Sequence, residues 1–270
     1  MCELLAMSCR HPARLTSSLT ALAVHASGDS RNRDGWGLAF YQGRDVALYR
    51  DATSADTCAL VPWLEANGPA TTLSLGYIRH ATQGAINLAN TGPFARELNG
   101  RMQVFAHNGN LKNLVHSLPV NNGCFQPVGE TDSELAFCLL LDRIRQLPHA
   151  HGQLPSLQAR LDAVAEVALA LRALGPASFL YADSDVLFVH ADRRLQPLTR
   201  QVTAPALYRL ECPAGDKAAL VRDSESAQTK TAQRVILLAS VPLTQEAWTP
   251  MQEGEVLAIR QGEIIASRQL

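Results

Sequence analysis

Cys2 is the residue whose position changes its chemistry. A cysteine directly after the initiator methionine is small enough for that methionine to be removed, which would leave Cys2 with both a thiol and a free α-amine. The ordinary pKa of such an amine is about 7.7 to 8.0, so part of it is unprotonated at neutral pH and can take the thiol proton without help from a histidine. Nucleophile and base would then share one residue, as in threonine enzymes that use their N-terminal amine. The plainer reading is a small apolar residue opening a buried strand. Cys2 alone does not decide between them.

Three internal segments carry complementary groups. Gly76-Tyr77-Ile78-Arg79-His80-Ala81-Thr82 places a guanidinium at a strand end, where its planar fork of donors suits a substrate carboxylate; taken singly, Arg79 could be a surface arginine. Phe105-Ala106-His107-Asn108-Gly109-Asn110-Leu111 sets a side-chain amide beside an uncovered glycine N–H, a pair able to receive a developing oxyanion. Its plainer reading is a turn, since Asn-Gly suits positive φ. Gly129-Glu130-Thr131-Asp132-Ser133-Glu134 puts a carboxylate at a helix start, where it could hold a substrate ammonium or simply cap the helix. The eight histidines invite a Cys-His pairing, but neighbours on a strand point to opposite faces, so His107 is expected to face away from Asn108. His149 and His151 flank a Pro/Gly-rich loop and read as solvated.

The elements that must position these groups follow from periodicity. Residues 3 to 9 read as a strand, and Arg14 to Ala26 place Leu15, Leu19, Leu22 and Ala26 at helical spacing. Trp36 to Tyr41 and Asp45 to Tyr49 read as a hairpin turned at Gln42-Gly43-Arg44. Residues 54 to 66 suit a short helix, Thr72 to Arg79 alternates Leu73, Leu75 and Tyr77 on one face, and Met102 to His107 is a strand expected to break at Asn108-Gly109. Asp132 to Gln146 and Ser156 to Leu174 read as helices, the second striped by Leu157, Leu161, Val164, Ala168 and Leu171 and stopped by Gly175-Pro176. Strands follow at 177–182, 185–190, 202–211, 234–240, 255–260 and 263–268, the last two joined at Gln261-Gly262. The polar stretch from Ala214 to Gln233 reads as a surface excursion. Strands in two batches around central helices imply a layered α+β fold of stacked antiparallel sheets covered by helices. It is expected to be one domain over residues 1–270.

Composition narrows the function class. With 24 Lys+Arg, 25 Asp+Glu and a pI near 6.7, the chain lacks the basic excess of a nucleic-acid or membrane surface, so its ligand is expected to be small. No apolar run reaches the ~18 residues of a spanning helix, and the N-terminus lacks a basic region before a long apolar core; the chain reads as cytoplasmic. Its six cysteines are scattered without a C-x-x-C pair, which indicates reduced thiols and neither a zinc site nor another metal site. No cofactor is implied.

Taken together and in this order, the segments resemble the class II glutamine amidotransferases, the N-terminal-nucleophile enzymes that begin with cysteine. The resemblance covers essentially the full length and is strongest to the small standalone branch. The residues that carry it are CELLAMS, DGWG with the following LAFY strand, IRHAT, N-T-x-P-F, FAHNG, TDSE, and the later Ala239-Ser240-Val241-Pro242-Leu243-Thr244, Trp248 and Gly254-Glu255-Val256-Leu257. It implies a four-layer αββα sandwich, Cys2 as nucleophile with its α-amine as base, and an oxyanion hole from the Asn108 side chain and the Gly109 N–H. Arg79 would bind the substrate α-carboxylate and Asp132 the α-ammonium, with His80 and Thr82 lining the same substrate site. The sequence departs from the pattern where synthase-fused members read tryptophan at His80 and glycine at Glu3. It departs from the standalone branch at Gly92, usually histidine, and Tyr77 replaces a histidine common before the I-R-H run. The implied activity is hydrolysis of the γ-amide of glutamine or a related γ-glutamyl amide. Two alternatives stay open: a glutaminase subunit feeding ammonia to a separate synthase, and a catalytically silent γ-glutamyl-binding protein. Whether the chain forms a homodimer is open too.

Overall fold

In the computed structural model, residues 2–16, 20–22, 33–114, 123–150, 152–196, 199–213, 219, 221–223 and 232–270 are described. The strands of the N-terminal half are β1 (Glu3–Leu15), β2 (Trp36–Gln42), β3 (Asp45–Asp51), β4 (Thr71–Ile78), β5 (Phe94–Leu98) and β6 (Arg101–Gly109). Then come β7 (Ala177–Ala182), β8 (Leu187–His190), β9 (Arg194–Leu195), β10 (Val202–Thr203) and β11 (Tyr208–Cys212). The last are β12 (Val221–Asp223), β13 (Val235–Ala239), β14 (Thr249–Pro250), β15 (Glu255–Arg260) and β16 (Glu263–Gln269). The described helices include α1 (Leu60–Asn67), α2 (Asp132–Arg145) and α3 (Leu157–Arg172).

Antiparallel pairing gathers the strands into an eight-stranded sheet, β14-β11-β13-β1-β4-β2-β3 with β12 beside β1, and a six-stranded sheet, β16-β15-β8-β7-β6-β5. Period-two alternation then sorts the side chains into three apolar layers. Leu5, Met7, Leu38 and Phe40 face outward onto Val61 and Leu64 of α1. Leu4, Ala6, Leu73 and Leu75 face inward and meet Val104, Ala106, Leu180 and Ala182 of the second sheet. On that sheet's far face, Phe105, Phe179 and Tyr181 pack on Phe137 and Leu141 of α2 and Leu161 and Val164 of α3. The result is the αββα sandwich, with the central strands of both sheets buried on both faces.

Local chemistry fixes the helices that reach the site. Thr131 caps α2, its Oγ1 accepting from Glu134 N at 3.2 Å, and Ser156 caps α3 in the same way at Ala159 N. Leu161, Val164, Ala168 and Leu171 are buried as the stripe requires. Gly175, at φ +155°, lets the chain pass close against Asn110 after α3.

Several boundaries differ from expectation. The helix expected from Arg14 does not start there, because β1 continues through Leu15, pairing Ala13 to Leu15 with β12. Pro12 falls where the β1–β4 register shifts between Ser8 and Ala13, a bulge that tolerates a missing donor. Leu22 is buried, while Leu19 and Ala26 lie outside the described residues. The helix expected at 54–66 starts only at Leu60. The expected break at Asn108-Gly109 is absent: β6 runs through both, pairing them with Ser178 and Ala177. The strand expected at 202–211 is two pieces, β10 in a ribbon with β9 and β11 in the large sheet, separated by the segment around Pro205, which has no N–H to give a ladder. Much of 214–233 lies outside the described residues, but 221–223 form β12.

Candidate active site

Cys2 lies immediately before β1, and its side chain belongs to the layer between the sheets. Its Sγ is 2.9 Å from the Tyr77 hydroxyl and accepts the His80 N–H at 3.3 Å. Tyr77 is at the end of β4 and His80 just past it, and β4 pairs with β1 from Glu3↔Ile78 onward. Burial pushes the Cys2 thiol above its ordinary value, while the hydrogen bonds from Tyr77 and the backbone at His80 pull the other way. The following residue is anchored as well: Arg194 grips Glu3 with both terminal nitrogens, at 2.7 and 3.1 Å, and donates to Ser240 O. Ser240 in turn takes the Leu4 N–H on its hydroxyl at 2.9 Å.

The DGWG stretch fixes the end of β4. Arg79 N donates to Gly35 O, Asp34 N donates to Arg79 O, and Asp34 Oδ2 accepts from Ala81 N at 2.7 Å. Beyond that point the Arg79 guanidinium turns into its own following loop, with Nη1 on Ala85 O and Nη2 on Gln83 O and Gly84 O. Among the described residues these three bonds use Nη1 and Nη2 and none uses Nε. Asn90 Nδ2 also holds Ala85 O, and Gln83 Nε2 reaches Asn110 Oδ1 at 2.9 Å, so the loop is tied to the end of β6. His80 is half-buried, with Nδ1 3.6 Å from Asp34, and Thr82 is exposed on the loop.

Asn108 follows Val104 and Ala106 in the alternation of β6 and so points into the layer that holds Cys2. It is 0% exposed, yet neither Oδ1 nor Nδ2 has a hydrogen-bond partner. A buried side-chain amide without partners is costly and uncommon in folded proteins. Asn110 N donates to Pro176 O, so antiparallel alternation turns the Gly109 N–H away from β7, past the last β5 pair at Phe94↔Phe105. Glycine is required at 109 by crowding and not by a turn: a Cβ would collide with Pro176 O and His107 Nε2. Asp132 opens α2 and accepts Leu111 N on Oδ2 at 2.7 Å and both Ser133 N, at 2.8 Å, and Ser133 Oγ, at 3.4 Å, on Oδ1, leaving a lone pair on Oδ2.

His107 faces the other way, stacked on Phe105 with Nδ1 2.9 Å from Ser133 Oγ. Burial holds its imidazole below the ordinary pKa and therefore neutral. It gives Cys2 no base. His149 is exposed and bonds Asn99 and Leu147 O, and His151 lies outside the described residues. Among the described residues no cluster of His, Cys, Asp and Glu could hold a metal ion, and all six cysteines are thiols.

With this geometry in view, comparison with known proteins is specific. The family model described as class-II glutamine amidotransferases matches residues 1–270. The chain belongs to this family. It is 34% identical over 260 residues to the Escherichia coli K12 protein named "Putative glutamine amidotransferase YafJ", covering 94% of this chain and 96% of that one. A Pseudomonas aeruginosa crystal structure described as a "predicted glutamine amidotransferase" superposes with a TM-score of 0.68 at 31% identity, covering 98% and 99%. The glutamine phosphoribosylpyrophosphate amidotransferase of B. subtilis shares the fold, at a TM-score of 0.60 and 18% identity over 99% of this chain and 49% of its own.

In this class-II amidotransferase the sequence marks Tyr77 as a departure from the family pattern but does not show that its hydroxyl reaches the Cys2 sulfur. Tyr77 counted as one of three apolar positions on β4, and its ring does pack in that layer. Its hydroxyl gave a signal that could have been read: a tyrosine at the last inward position of a strand needs a polar partner, and the chain end pairing beside it begins with Cys2.

Proposed function

We propose that this class-II amidotransferase hydrolyses the γ-amide of glutamine or of a related γ-glutamyl amide through a thioester on Cys2, and that residues 1–270 act as one domain. The observation that carries the reading is the pairing, in one buried layer, of a hydrogen-bonded Cys2 Sγ with the unpartnered amide of Asn108. Removal of Met1 frees the α-amine, which takes the thiol proton. The thiolate attacks the γ-carbonyl carbon, and the oxygen that becomes negative is received by Asn108 Nδ2 and the Gly109 N–H. The substrate's amino-acid head lies between Arg79 and Asp132, whose Oδ2 keeps a lone pair, with His80 and Thr82 at the rim. As the carbon–nitrogen bond breaks, ammonia or an amine leaves with the proton held by the Cys2 α-amine; water, giving a proton to that amine, then cleaves the thioester to glutamate, and the proton returns to sulfur to restore the thiol.

The test is glutamate release by Met1-processed protein from glutamine and from a panel of γ-glutamyl amides. The reading predicts turnover of at least one of them and none by a folded Cys2→Ala variant. Turnover by that variant, or none by the wild type on the whole panel, would contradict it.

A further inference from the structure

Tyr77 is buried, its hydroxyl touches the Cys2 sulfur, and nothing in the mechanism above uses it. Its ring occupies space that Gly92 leaves open: a Cβ on Gly92 would stand 3.2 Å from Cδ1 and 3.3 Å from Cε1 of the tyrosine. Gly92 is itself pressed from behind, since a Cβ on Gly37 would collide with its carbonyl oxygen. The two positions where this sequence departs from the standalone branch, Tyr77 and Gly92, are thus in contact. A large ring at one fits because the other has no side chain.

We propose that Tyr77 is a catalytic residue whose hydroxyl, together with the His80 N–H, forms a two-donor cradle for the Cys2 thiolate. The inference rests on Cys2 being the nucleophile. Sγ has two neighbours suited to the charged form, the hydroxyl at 2.9 Å and the backbone N–H at 3.3 Å. The neutral thiol has its own acceptor in His80 O at 3.6 Å. When the α-amine takes the thiol proton, the hydroxyl turns its O–H onto sulfur and keeps its proton throughout; attack on the γ-carbonyl then consumes the stabilised electron pair. Burial, with the neighbouring sulfur adding to it, pushes the tyrosine well above its ordinary pKa, so it remains a donor over the whole working range. Hydrogen bonds to a charged acceptor are about twice as strong as neutral ones. The hydroxyl therefore favours the thiolate over the thiol in a layer whose burial does the opposite.

The test is the pH dependence of Cys2 alkylation by iodoacetamide, read by peptide mass, in Met1-processed wild type, Tyr77→Phe and protein carrying 3-fluorotyrosine at position 77. Losing the donor in Tyr77→Phe should move the midpoint upward and slow alkylation at pH 7 by roughly tenfold to a hundredfold, with kcat falling in parallel and KM little changed. The fluorinated ring keeps the shape but donates more strongly, and its midpoint should move downward. A purely structural tyrosine would not give shifts of opposite sign. If Tyr77→Phe does not fold, the fluorotyrosine protein decides by a downward shift or by none. An unchanged midpoint in a folded variant of an enzyme that still hydrolyses γ-glutamyl amides overturns the Tyr77 inference alone. A wild type without hydrolysis and without a titrating Cys2 overturns the nucleophile reading instead.

Discussion

Asn108 is held at a cost that its surroundings do not offset, with both amide atoms buried and unpartnered. A ligand oxygen that becomes negative only in the transition state would supply the missing partner. Asn108→Ala is therefore expected to lower kcat by roughly 10² to 10³ with KM nearly unchanged, in a protein that melts at or above the wild-type temperature because the orphaned amide is gone. Steady-state kinetics and thermal melting on one preparation check this; a wild-type kcat would remove Asn108 from the reaction. Residue types at this scale were readable in order along the chain: a cysteine after methionine, an arginine at a strand end, Asn-Gly, and an aspartate opening a helix. What they touch was less readable. Arg79 spends three bonds on its own loop, and Gly109 is a glycine because Pro176 O and His107 crowd it. Such close approaches bring together residues distant in sequence and leave no local pattern.

At the scale of elements, β1 is the organiser, since it starts beside Cys2 and lies between β13 and β4. Its first turn of chain is pinned by the buried Glu3–Arg194 pair, both residues under 5% exposed. Arg194→Ala would strip the buried carboxylate of its bidentate guanidinium, and loss of one member of a buried pair typically costs about 3 to 5 kcal/mol. Chemical denaturation should show a midpoint lowered accordingly, with Cys2 alkylation altered even where the fold persists; an unchanged midpoint would mean that the pair does not anchor β1. Helices α2 and α3 and the β2–β3 hairpin were legible because stripe, cap and turn agree over a dozen residues. The far end of β1 was not, because Pro12 at a bulge looks like a strand terminus and Leu15 falls into helical spacing with residues beyond it. The break between β10 and β11 shows the converse: alternation continues through a proline that the ladder cannot use.

For the whole molecule, the second sheet carries two buried histidines on the face covered by α2 and α3. His107 and His190 flank Phe179 in the register, and neither Nε2 has a hydrogen-bond partner. Burial pushes His190 down to about 4 and lowers His107 too, whereas in the unfolded chain each would titrate near 6.5. Below about pH 6.5 the unfolded state therefore binds more protons than the folded one, so stability is full above that pH and falls with acidification, for His190 until about pH 4. Each histidine contributes a slope of up to about 1.4 kcal/mol per pH unit. Melting temperature should drop between pH 7.5 and 5, and His190→Asn should flatten the drop; a pH-independent melt would contradict the neutral burial. The layered α+β plan was legible from the two batches of strands. Which sheet each strand joins was not, because β1, β4, β2 and β3 share a sheet with β11 and β13 from the other end of the chain, joined through the β1–β13 pair.

The central claim, that Cys2 is the nucleophile of a γ-glutamyl amidase, is tested most directly by peptide mapping after treatment with the glutamine-like electrophile diazo-oxo-norleucine. Met1-processed protein should lose glutaminase activity in step with a single adduct on Cys2, and Cys9, Cys58, Cys124, Cys138 and Cys212 should stay unlabelled. Inactivation with the adduct on another residue, or full activity with Cys2 modified, would contradict it.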